Sequence, residues 1–155
     1  ILKIKLKSNM EKRIQADLVS AMKNKDSVRL ASVRAIKTSI TVAKTAPGAP
    51  SELTDGDIQK IIQKLVKQRK DSAEQYIAAG RQELADNEIA EMNVMEEYLP
   101  KQLSEQDIRD IIFGRIVQSD FPPCNMGIVM KYFKENYSGQ YDGKMVSTIA
   151  KEMLG

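Results

Sequence analysis

From Met10 to Leu154 the apolar residues recur at intervals of three and four, and each pause in that rhythm carries a proline, a glycine or a capping side chain. The pattern suits amphipathic helices, and beyond residue 9 no run shows the two-residue alternation of a half-buried strand. Ile14, Leu18 and Met22 mark a first helix from Met10 to near Lys23, and Asp26 is a good N-cap for a second reaching about Ala43. The segment "TAPGAPSEL" then breaks the pattern as a loop. Thr54 and Asp57 resemble a capping box that opens a third helix, which stops at Gly80. A fourth runs from about Arg81 to Tyr98 and is closed by Pro100. Ser104, followed by Glu105 and Asp107, starts a fifth. Beyond "DFPP" a sixth is expected near Gly127 to Asn136 and a seventh from Asp142. The fold class is all-α and multihelical.

Punctuation also divides the chain. The segment "YLPKQLS", residues 98–104, separates an N-terminal helical bundle, residues 10–99, from a small C-terminal unit of three helices, residues 100–155. The opening "ILKIKLKSN" alternates apolar and basic residues, and residues 1–9 read as an N-terminal extension, an exposed arm ahead of Met10.

Several chemistries are excluded by residue type. The chain has no histidine, so it holds no Cys-His or Ser-His dyad and no histidine base. Its single cysteine, Cys124, rules out an intrachain disulfide. A phosphate-binding P-loop, a dinucleotide turn and a nucleophile elbow are all missing from the sequence. We therefore expect no catalytic residue, no metal and no cofactor. No apolar run approaches the roughly 18 residues that cross a bilayer, and no signal peptide is evident, so the expected location is cytoplasmic.

Charge is unevenly spread. Residues 1–50 carry 11 Lys/Arg against 3 Asp/Glu, whereas residues 51–100 carry 6 against 11. Either the first third meets a polyanion, or the basic and acidic segments pack on each other. In "LVKQRKDSAEQY", Lys67 and Lys70 fall on the polar side of the third helix, each four residues before an acid. Arg69 instead falls at about 20° from Ile58, in the apolar stripe that includes Leu65 and Tyr76. Arg29 shares the direction of Val33 and Ile36, and Glu88 and Glu91 lie on the apolar stripe of the fourth helix. In one reading Arg69 and Arg29 bridge to Glu91 or Glu88 and fix helix register. In the other, Arg69, Glu91 and Tyr76 line a cleft between the units and act on a substrate.

On the second helix Arg34, Lys37 and Lys44 share an arc, and Lys12 and Arg13 are close in sequence. They form a candidate RNA-binding surface that tracks phosphates, with a solvated helix flank as the alternative. Few aromatic residues are present to stack bases, so recognition of a folded RNA by shape suits the surface better. In "YDGKMVSTIAKEML", Asp142 is an N-cap and Lys144 stands at the helix start. Lys144 and Lys151 are the corresponding candidates in the C-terminal unit.

The blocks "AMKNKDSVRLASVRAIKTSI", "LVKQRKDSAEQY", "AGRQELADNEIAEMNVMEEYLPKQLS" and "DGKMVSTIAKEML" together resemble the YqeY-like proteins of the GatB/YqeY group. The resemblance runs from about Met10 to Leu154. It implies a helical bundle followed by a module similar to the tail domain of the B subunit of the glutamyl/aspartyl-tRNA amidotransferase, which engages transfer RNA. It also implies an association with carbon–nitrogen ligase activity that uses glutamine as amido donor. Nothing in this chain resembles the Ser-Ser-Lys amidase signature or the cradle domain that carries that chemistry. The function expected is thus a tRNA-binding or amidotransferase-related accessory role, with tRNA and an amidotransferase or other protein factor as partners, and neither DNA nor a membrane. The rival is a protein-interaction module that docks through Met92, Met95, Met145 and Met153.

Overall fold

A computed structural model describes residues 8–50, 52–118 and 123–155. Seven α-helices, and no strand, occur among the described residues: α1 (Asn9–Lys23), α2 (Ser27–Thr45), α3 (Asp55–Ala78), α4 (Gln82–Glu96), α5 (Glu105–Gln118), α6 (Met126–Asn136) and α7 (Gly143–Leu154). The all-α class holds. The chain divides into two compact units, Ile1–Leu99 and Pro100–Gly155.

Most helices begin where a side chain can satisfy an orphan amide. The Thr54 hydroxyl accepts from the Asp57 amide at 3.2 Å while the Asp57 carboxylate accepts from the Thr54 amide at 3.0 Å. Ser104 and Asp107 repeat the exchange at 3.1 and 2.9 Å. Asp26, Asn125 and Asp142 cap α2, α6 and α7. α1 starts one residue before the expected Met10, because the Ser8 hydroxyl accepts from the Glu11 amide at 3.1 Å. Asn9 is therefore the first residue of the helix, and Ser8 is its cap. The remainder of the expected extension, residues 1–7, and Asp120 to Pro122 of "DFPP" lie outside the described residues.

In the first unit α1 and α2 form a hairpin through Asn24, Lys25 and Asp26. Lys25 takes a positive φ of 53°, a place usually given to glycine. The amide of Asp26 then reaches back to the Ala21 carbonyl at 3.1 Å. α3 and α4 are joined in the same manner at Gly80, whose φ is 73°, with the Arg81 amide bonded to the Tyr76 carbonyl at 2.8 Å. α4 packs against both α3 and α2. Ile14, Val33, Ile36, Ile40, Ile58, Ile62, Met95 and Tyr98 close the core from all four helices and the residues just after α4.

The second unit has a separate core of Ile108, Ile112, Val129, Phe133, Val146, Ile149 and Ala150, with α7 packed on both α5 and α6. Phe133 meets the rings of Tyr137 and Tyr141 at 5.6 and 5.3 Å between centroids. Residues ahead of α5 are strapped to the turn between α6 and α7. The Leu103 amide donates to the Gln140 carbonyl at 2.7 Å, and the Gln102 side chain to the Gly139 carbonyl at 2.8 Å.

Candidate functional site

Several charges of the first unit stand in pairs, of which the one at Arg69 is half-buried. Arg69 projects from the apolar side of α3 with its side chain 22% exposed, and its Nε donates to Glu91 of α4 at 2.9 Å. Glu88 stands 3.6 Å away on the same helix. Arg29 finds a different carboxylate from the Glu88 or Glu91 expected of it. It grips Glu97 in a two-pronged pair at 2.6 and 3.2 Å, because the start of α2 lies beside the end of α4, not its middle. The partnership holds the Glu97 carboxyl below its ordinary range and raises the Arg29 guanidinium. Tyr76 is half-buried on α3. Arg69, Glu91 and Tyr76 are all carried by α3 and α4 of the first unit, where the Arg69 Nε faces both Glu91 and Glu88.

A second polar cluster escaped the sequence reading. Tyr98 is almost fully buried, and its hydroxyl donates to the Asp17 carboxylate of α1. The Arg13 guanidinium lies 4.6 Å over the Tyr98 ring and reaches the Glu97 carbonyl at 3.4 Å. Burial and the bond to Asp17 push the Tyr98 phenol well above its usual value. Its only sequence signal is a tyrosine at the end of the apolar stripe of the fourth helix, two residues before Pro100. Arg13 thereby touches the end of α4 while its side chain stays half exposed.

The remaining basic candidates separate by engagement. Lys44 is paired with Glu11, and the Lys37 ammonium donates to Gln15, so both bridge α2 to α1. With Ile14, Ile40 and Thr41 they line a small cavity of about 170 Å³. Lys12 and Arg34 are exposed and have no ion-pair partner among the described residues. Lys144 and Lys151 stand exposed on α7, whose opposite face, Val146, Ile149 and Ala150, is buried. Of the methionines expected to form a docking face, Met92 is half-buried on α4 and the other three contribute to the cores. Met95 is completely buried, and Met145 and Met153 pack on the second core, because helical spacing places them with their units' apolar stripes.

Residues 11–154 match the family model described as Yqey-like protein. The chain belongs to the YqeY-like family. Its relatives include three fungal proteins named "Altered inheritance of mitochondria protein 41, mitochondrial". The one from Pyrenophora tritici-repentis is 29% identical over 148 residues, which cover 92% of this chain and 80% of the relative. That from Clavispora lusitaniae is 24% identical, with 83% and 76% covered, and that from Candida glabrata 28%, with 67% and 57% covered. Among the described residues there is no group of three or more metal-ligating side chains and no helix long and apolar enough to cross a membrane.

Proposed function

We propose that this YqeY-like protein is a tRNA-binding accessory factor related to tRNA-dependent amidotransfer, with the second unit as its tail-like contact module. Membership in the family supports the reading, and so does the exposure of Lys144 and Lys151 on the one face of α7 that the core does not use. Lys12 and Arg34 supply matching cations on the first unit. Both sets suit phosphate contacts that follow the shape of a folded RNA and do not read its bases. The chemistry of amide transfer belongs to a partner protein, since the chain lacks the amidase signature. The location proposed is cytoplasmic, and "mitochondrial" is a word carried by the fungal relatives.

Filter binding with purified tRNA at about 50 mM and about 200 mM salt tests this proposal. Micromolar affinity that falls steeply with salt is expected. The Lys144→Glu, Lys151→Glu variant should bind more weakly and show a salt slope flatter by roughly two phosphate contacts. Absence of binding at the lower salt would overturn the reading.

A further inference from the structure

α2 and α3 each pack on α4 and leave a groove between themselves in the first unit. Thr38, Ser39, Val42 and Ala43 form one wall, and Ile61, Lys64, Leu65 and Gln68 the other, around a volume of about 310 Å³. Val42, Ala43, Ile61 and Leu65 make half of that lining aliphatic. Val42 is 62% exposed there, although a β-branched apolar side chain gains nothing from water.

The electrostatics of the walls are one-sided. Residues 27–45 and 58–70 together hold nine Lys/Arg and no Asp/Glu. Arg29, Lys44 and Arg69 are spent on carboxylates elsewhere in the unit, and Lys37 on Gln15. Lys64 stands in the groove itself, with Lys60 one turn before it, beside Asp57, and Arg34 one turn before Thr38; Lys64 and Arg34 have no ion-pair partner among the described residues. The nearest carboxylates along α3, Asp57 and Asp71, lie outside the lysine run at its two ends, and Asp57 is held in its capping box.

We infer that this groove docks an acidic amphipathic helix of a partner protein, whose aliphatic residues at i, i+3 or i+4 and i+7 enter between α2 and α3 while its carboxylates meet Lys60, Lys64 and Arg34. A groove whose exposed lining is mostly apolar, with Lys64 in one wall and Lys60 and Arg34 one turn beyond it along α3 and α2, complements such a helix in both shape and sign. Nucleic acid matches these cations but not the lining, which offers no ring for a base to stack on. The chain's own basic residues 1–7 carry the same sign as these cations.

Selection of helical peptides from a random library against the full chain tests the inference. The selected sequences should be acidic, with aliphatic residues on one stripe, and should bind at micromolar Kd in fluorescence anisotropy. Val42→Arg fills the mouth from an exposed position, so circular dichroism should be unchanged while peptide affinity falls at least tenfold. Lys60→Glu, Lys64→Glu should weaken binding similarly and flatten its salt dependence. Selected peptides that are not acidic, or that bind the Val42→Arg variant equally well, would overturn the proposal. So would a folded RNA whose own binding is lost in Val42→Arg, or a dimer of the chain, seen by sedimentation, that this variant dissolves.

Discussion

Arg69 illustrates what one residue declares in sequence and what it leaves to the fold. A guanidinium in an apolar stripe must meet acid, and α4 carries two carboxylates on its own stripe, so the neighbourhood was legible from helical spacing alone. Arg29 was less so. Glu97 sits at the end of α4, where the stripe has run out, and only the packing of α2 on α4 brings it within 2.6 Å. The bond from Tyr98 to Asp17 spans 81 residues of sequence and has no periodic signature at all. Arg69→Met should cost about 1–3 kcal/mol, because it leaves Glu88 and Glu91 in the seam without their cation. Urea denaturation followed by circular dichroism measures the loss, and Arg69→Met, Glu91→Met should recover part of it. Unchanged stability with abolished tRNA binding would instead place Arg69 at a ligand.

Among the elements, starts were more legible than joints. Thr54, Ser104, Asp26 and Asp142 are cap residues followed by helical periodicity, and their helices begin beside them. Ser8 with Glu11 follows the same pattern but was obscured by Met10, which drew the boundary one residue too late. The turn between α1 and α2 gives no such hint, since Lys25 occupies a left-handed position without being glycine. The caps also carry a pH dependence. The Asp57 and Asp107 carboxyls are lowered by bonds from the Thr54 and Ser104 backbone and side chains. A lowered folded value means that the unfolded chain takes up protons first, so the stabilisation is complete above the ordinary carboxylate range and fades as pH falls through the folded values. Asp57→Ala should therefore be less stable than the natural chain at neutral pH, and thermal melts should show the gap closing as pH falls into and below the ordinary carboxylate range.

At the scale of the whole molecule, the two cores share no residue, and each was foreseeable from the apolar stripes on its own helices. Composition alone concealed the use of the cations. Of the seven basic candidates for RNA contact, Arg13, Lys37 and Lys44 also make contacts between α1 and its neighbours, and those contacts depend on which helices lie side by side. Phe133 is the largest fully buried side chain and anchors the smaller core. Its replacement by alanine should cost about 3–5 kcal/mol, comparable to the whole stability of a unit this size. Amide hydrogen exchange should then show α5, α6 and α7 unprotected while amides around Ile36 and Ile62 stay protected; retained protection throughout would mean that the second core tolerates the cavity. The strap from Gln102 and Leu103 to the turn at Gly139 and Gln140 has a bearing on how such a chain can be taken apart. Because the entrance to the smaller unit is bolted to its own interior turn, a break before Pro100 leaves the unit with both halves of its latch. The last three helices form a portable cassette, ready to be spliced behind a different bundle with its doorway intact.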